Sequence, residues 1–126
     1  MNVLGIGMDI VETKRIAESI ERFGDRFLQR VFLEGEVAYA KSMKFPHLHL
    51  AARFAAKEAI SKAFGTGIGR ELGWRDLEIV RAPGGAPSVR LHGRAEAYAK
   101  SRGITQVLVS LSHTSEYGAA SAVILG

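Results

Sequence analysis

The sequence predicts an α+β fold in which an antiparallel sheet packs around one long central helix. Period-two apolar alternation occurs near both ends of the chain, and an unbroken helical run fills residues 47–64. The predicted order of strand, helices, two strands, helix and two strands also lacks the regular βα alternation of doubly wound folds. With 126 residues and 47% hydrophobic content, the chain suits a single domain over 1–126 with one buried core.

Leu4, Ile6, Met8 and Ile10 alternate with Gly5, Gly7, Asp9 and Val11, which predicts an opening strand with Asp9 on the face opposite the apolar one, read as the outer face. Thr13 is placed to cap a helix whose Ile16, Ile20 and Phe23 recur at helical spacing and whose stop is Gly24. Lys14, Arg15 and Arg22 fall on its other face. A helical turn over Asp25 to Val31 and a helix over Glu34 to Ser42 follow, before Pro46 punctuates the chain. The run from His47 to Phe64 has no breaker, ends at Gly65 and contains six alanines, so other backbone can approach it closely. Asp76 to Arg81 and Ser88 to Leu91 predict a hairpin joined through Pro83-Gly84-Gly85-Ala86-Pro87. A helix over Gly93 to Arg102 stops at Gly103, and strands over Ile104 to Ser112 and Tyr117 to Leu125 close the chain around a turn at His113 to Glu116.

Seventeen Lys and Arg against thirteen Asp and Glu give +4, and each half of the chain carries +2, so acidic or polyanionic partners are favoured without a basic tail to choose among them. The absence of cysteine excludes a disulfide scaffold, a thiol nucleophile and a thiolate zinc site. Any metal must therefore use oxygen or imidazole. Neither a basic leader nor an apolar stretch near the ~20 residues a bilayer needs is present, so the expectation is a cytoplasmic protein that does not span a membrane.

Glu58 and Lys62 are four apart on one helical face, in a stripe with Phe54, Ser61 and Gly65. Such a pair can be an ordinary surface ion pair of ~0.3–0.5 kcal/mol. Asp9 is a separate signal, because a charge on a glycine-flanked apolar strand costs energy unless paired or solvated. Two carboxylates from separate elements can bind Mg²⁺, which takes hard oxygen ligands and keeps waters and substrate phosphates in its shell. The glycines at 65, 67 and 69 do not form a P-loop, which requires Gly-Lys followed by Ser or Thr. His113, among Ser112, Thr114 and Ser115, can serve a phosphate or simply a turn.

GIGMDIVETKRI at 5–16, RFAAKEAISKAFGTG at 53–67, GGAPSVRLHG at 84–93 and VSLSHTSEYGAASAVI at 109–124 occur in order along the chain. On these four motifs the sequence resembles the holo-acyl-carrier-protein synthases, the small 4′-phosphopantetheinyl transferases of bacterial fatty-acid synthesis. Phe54 stands where many members have Trp and keeps an aromatic in place. The resemblance implies transfer of 4′-phosphopantetheine from coenzyme A to a serine of apo-acyl carrier protein, with release of adenosine 3′,5′-bisphosphate.

It also implies roles by residue. Asp9 and Glu58 match the metal-binding carboxylates, with Mg²⁺ as cofactor, and Lys62 matches a phosphate-contacting lysine that completes the catalytic set. Arg53, Ser61, Lys62, Gly65 and His113 are implied on the coenzyme A side, with Arg53 and His113 at its phosphates, the 3′-phosphate included. Arg15 matches the helix arginine that meets the acidic helix of acyl carrier protein, and Arg22 extends that patch. Glu58 and a metal-bound water both remain open as the base for the serine proton. The small members form homotrimers with sites between subunits, so Arg53 and His113 are expected to serve carboxylates of a neighbouring chain. A closing strand small or apolar on both faces, Ala119, Ser121, Val123 and Leu125 against Gly118, Ala120, Ala122 and Ile124, fits such assembly.

Two other readings compete. A basic nucleic-acid-binding domain fits the pI of 9.7, but aromatics are only 8% and Lys57 and Lys62 flank Glu58 instead of forming an unmixed basic stripe. A non-catalytic carrier-protein adaptor would dock through Arg15 and Arg22 without needing both Asp9 and Glu58.

Overall fold

Everything in the fold is arranged around α4 (Pro46–Phe64), whose alanines at 51, 52, 55, 56, 59 and 63 are all buried. Pro46 at the helix start and Gly65 in the left-handed conformation at its end (φ 81°) bound it as the sequence predicts. The computed structural model describes residues 1–81 and 84–126. Before α4 come β1 (Val3–Glu12), α1 (Thr13–Phe23), α2 (Asp25–Val31) and α3 (Glu34–Lys41). After it come a 3₁₀ turn at Trp74–Asp76, β2 (Leu77–Arg81), β3 (Pro87–Leu91), α5 (Gly93–Ser101), β4 (Gln106–His113) and β5 (Tyr117–Leu125). The predicted hairpin is present as β2 and β3, paired from Leu77–Leu91 to Arg81–Pro87. Pro83 of its predicted connector lies outside the described residues.

All strand pairing is antiparallel, but it forms two sheets where one was expected: β1-β5-β4 and β2-β3. The central strand of the larger sheet is β5. Its Gly118, Ala120, Ala122 and Ile124 are buried toward the core, a choice of face that a strand small or apolar on both sides left open.

On β1 the two faces are the reverse of the sequence reading. Gly5, Gly7, Asp9 and Val11 lie on the more buried face, while Ile6, Met8 and Ile10 are 72%, 69% and 62% exposed. The reason is the small separation between strand and helix. A Cβ on Gly7 would overlap the Ala59 carbonyl oxygen and lie 2.7 Å from the Ala63 nitrogen, so only glycine allows β1 to sit so close to α4. Large apolar side chains find no room there and project the other way.

Thr13 is buried but does not cap α1. The cap residue is Glu12 without a side-chain bond, and the Thr13 hydroxyl donates instead to the Ser115 carbonyl at 2.7 Å, tying the start of α1 to the β4–β5 turn. Around α4, Lys57 is fully buried and donates to the Val31 and Trp74 carbonyls and to Glu36 Oε1 at 2.7, 3.0 and 2.7 Å. Glu36 also accepts from the backbone N–H groups of Leu33 and Ile79. This buried pair fastens α2, α3 and β2 to α4, and it removes Lys57 from any basic surface stripe. Among the described residues no helix is long and apolar enough to cross a membrane.

Candidate active site

Asp9 sits on the helix-facing side of β1, opposite Ala120 of β5, because alternation places it in line with Gly5 and Gly7. Glu58 and Lys62, one turn apart on α4, belong to the stretch that β1 crosses. Lys62 Nζ donates to Asp9 Oδ1 at 2.9 Å and to the Met8 carbonyl at 3.2 Å. The lysine therefore spans from helix to strand, and its nearest carboxylate is Asp9 and not its i−4 neighbour Glu58. It stays 52% exposed at the side chain, so this half of the site opens to solvent.

Glu58 is held above the ordinary carboxylate range, first by burial and next by the Asp9 charge, with Lys62 and Arg15 pulling the other way. These perturbations place Asp9, Glu58, Lys62 and Arg15 in one electrostatic neighbourhood. Arg15, exposed on α1, lies at its edge. Arg22 lies farther along α1, with its guanidinium 5.3 Å from the Phe23 ring, beside a groove lined by Ser19, Phe23, Arg26, Phe27 and Arg30.

Ser61 is buried, and its hydroxyl donates to the Glu58 carbonyl at 2.7 Å. Its own carbonyl accepts from Thr66 and Gly67, so the turn after Gly65 folds back on the end of α4. Phe54 stacks on Trp74 with centroids 4.8 Å apart, the packing role expected of an aromatic at that position.

Arg53 and His113 form a second centre. Arg53 precedes Glu58 by five residues, which turns it about 140° round the helix. Its guanidinium lies 4.3 Å from the Tyr39 ring of α3, shared with Arg81 of β2 at 5.3 Å. His113, at the end of β4, meets His49 of α4 with ring centroids 4.8 Å apart, and His49 in turn meets Tyr39 at 5.8 Å. The fold thus brings Asp9, Glu58 and Lys62 together and joins Arg53 to His113 among different neighbours. Sequence reasoning missed Tyr39, Arg81 and His49 in this second centre. The signal for His49 was available, because it stands four residues before Arg53 on the same helical face.

Paired carboxylates beside a lysine suit a cation and a phosphate, while a separate cluster of Arg and His suits a second anion. No group of three or more His, Cys, Asp or Glu placed to hold a metal occurs among the described residues. A cation at Asp9 and Glu58 would thus need substrate oxygens to complete its shell. A groove of about 690 Å³ between α2 and α3, lined in part by Leu28, Phe32, Val37 and Arg75, contains none of these residues.

The chain is similar to known proteins over nearly its whole length. A holo-[acyl-carrier-protein] synthase of Koribacter versatilis is 47% identical over 122 residues, covering 97% of this chain and 98% of the relative. The crystal structure of holo-[acyl-carrier-protein] synthase from Neisseria meningitidis superposes with a TM-score of 0.92 at 33% identity, covering 99% and 100% of the two chains. The Helicobacter pylori holo-[acyl-carrier-protein] synthase in complex with coenzyme A gives a TM-score of 0.85 at 33% identity, covering 95% and 99%. The family model described as the 4′-phosphopantetheinyl transferase superfamily matches residues 5–120, taking in most of β1, all of α4 and the start of β5. The chain belongs to the 4′-phosphopantetheinyl transferase superfamily.

Proposed function

We propose that this chain acts as a holo-[acyl-carrier-protein] synthase, moving 4′-phosphopantetheine from coenzyme A to a serine of apo-acyl carrier protein. The observation that carries this reading is the convergence of Asp9, Glu58 and Lys62 from β1 and α4, within a chain of this family. The serine oxygen attacks the phosphorus that bears pantetheine, the P–O bond to the bridging oxygen breaks, and adenosine 3′,5′-bisphosphate leaves.

Asp9 and Glu58 are the residues that would hold Mg²⁺. They fit it chemically, being two hard oxygen donors: burial and then the Asp9 charge raise the Glu58 carboxyl, and a divalent cation would relieve the second of these. When bound, Mg²⁺ supplies charge neutralisation and a template at the diphosphate. Within this reading Glu58 is the chain's own carboxylate acceptor for the serine proton. Lys62 is the exposed cation: tied among the described residues to Asp9 and the Met8 carbonyl, it turns to the departing phosphate once that carboxylate has another partner. Gly65 and the folded-back turn after Ser61 border the coenzyme A diphosphate, with backbone in place of side chain at the point of approach.

Arg53 and His113 receive the distal phosphate of coenzyme A. Because they do not share neighbours with Asp9 and Glu58 inside one chain, the complete site is assembled between chains. The exposed apolar face of β1 supplies the surface for this, and a homotrimer repeats one such interface three times. Arg15 and Arg22 dock the acidic helix of the carrier protein, with Arg15 closest to the carboxylates.

The reading is tested by incubating the protein with coenzyme A, Mg²⁺ and apo-acyl carrier protein and weighing the carrier protein by mass spectrometry. A phosphopantetheine adduct of ~340 Da, the mass implied by P–O transfer, is expected. A carrier protein of unchanged mass, with coenzyme A intact, would overturn it.

A further inference from the structure

The cluster around Tyr39 contains more than the two residues assigned to coenzyme A. His49 and Arg53 from α4 and Arg81 from β2 lie against it, and His113 from β4 joins the cluster through His49. Each can carry positive charge, and together they face very little negative charge. Glu36 acts on Arg53 but is occupied by Lys57 and two backbone N–H groups. Glu78 lines the adjoining recess of about 230 Å³ with Gly35, Tyr39, Arg53 and Arg81, and its Oε1 is engaged by His92 at 2.8 Å.

Arg53 is only 3% exposed, and its buried Nε has no hydrogen-bond partner among the described residues. A buried donor left unsatisfied costs about 1–3 kcal/mol, a cost that an incoming acceptor removes. Like charges gathered around such a group favour a multivalent anion, and a phosphate monoester brings up to two negative charges and three acceptor oxygens.

We propose that His49 is a specificity-determining residue of this anion site, and that it takes up a proton when a phosphate monoester dianion binds beside His113 and Arg53. The inference rests on the reading that Arg53 and His113 receive the 3′-phosphate of coenzyme A. It adds a residue and a regulation: discrimination between coenzyme A and 3′-dephospho-coenzyme A depends on pH.

The direction follows from the surroundings of His49. Burial lowers its pKa below the ordinary 6.5, and the neighbouring His113, Arg53 and Arg81 lower it further. The free site therefore holds His49 neutral above that range. A dianion opposes those three cationic influences and raises the bound value, so binding and protonation support each other. Affinity for the phosphate falls as pH rises from the free value to the bound one, by at most tenfold per pH unit for a single proton.

The test is calorimetric titration of the full chain with coenzyme A and with 3′-dephospho-coenzyme A at fixed Mg²⁺, from pH 6.5 to 8.5, in buffers of different ionisation enthalpy. Starting at 6.5 keeps the ligand phosphate above its own second ionisation, near about 6. The affinity ratio of coenzyme A to its dephospho form should fall about three- to tenfold across the range, and coenzyme A should take up more protons than the dephospho form. His49→Phe, which keeps a ring against Tyr39, and His49→Gln should each flatten the ratio and abolish the extra uptake. Equal proton uptake by both ligands in the unmodified protein, or an undiminished pH dependence in both variants, would overturn the inference while leaving the transferase reading in place. Failure of the chain to bind either ligand would overturn both.

Discussion

Glu58 holds its carboxyl at a cost to the fold. Its folded pKa lies above the unfolded value, so the ionised group destabilises the protein at neutral pH, and the penalty vanishes below the ordinary carboxylate value of 4.5. Glu58→Gln should therefore raise the melting temperature at pH 7 to 8, with the gain shrinking as pH falls toward 4.5, while transfer to the carrier protein is lost. A scan of thermal unfolding against pH checks the sign. Asp9→Ala should abolish Mg²⁺-dependent transfer and leave the fold intact, as read by circular dichroism and product mass. Arg15→Glu should weaken carrier-protein binding chiefly through the association rate, because a rim charge steers encounter. Surface plasmon resonance would show this, with coenzyme A affinity nearly unchanged. The residue types at this site were legible from the four ordered motifs, but the Lys62 partner was not. Helical spacing pointed to Glu58, whereas the bond runs to Asp9, because β1 passes close enough to offer a second carboxylate.

Among the elements, α4 and the hairpin were readable because their signals are local. A breaker-free alanine-rich run between Pro46 and Gly65 leaves little alternative to a helix, and turn residues between two alternating segments leave little alternative to a hairpin. For β1 the alternation revealed two faces but not which one turns inward. That choice depends on how close the helix lies, a property of the packed pair and not of either sequence. Gly7→Ala tests it directly. A Cβ there meets α4 backbone, which cannot move aside as a flexible side chain would, so a loss of about 1–3 kcal/mol or more is expected in urea unfolding. Lys57, which the sequence shows only as a lysine beside Glu58, is the buried partner of Glu36. Its pKa is lowered by burial, with Glu36 opposing that shift through charge and hydrogen bonding. Lys57→Ala strands Glu36 and should cost about 3–5 kcal/mol of stability.

At the scale of the whole molecule, the exposed face of β1 is what supports the proposed division of the site between chains. Ile6, Met8 and Ile10 lie exposed on the far side of the strand that carries Asp9, so the proposed interface would lie directly behind that carboxylate. The sequence suggested assembly through the closing strand β5. In the fold β5 lies between β1 and β4, its outward Ala119, Val123 and Leu125 half-buried, and the most exposed apolar side chains of the sheet belong to β1, with Leu108 of β4 and Tyr117 of β5 exposed to a lesser degree. The measurement that bears most directly on this account is complementation. Asp9→Ala and His113→Ala chains, each inactive alone, are unfolded together, refolded as a mixture and assayed for phosphopantetheine transfer. Mixed trimers in which an intact Asp9 of one chain meets an intact His113 of another should regain a substantial fraction of the activity. A mixture as inactive as its components, with light scattering showing that mixed trimers had formed, would contradict the division of one site between chains.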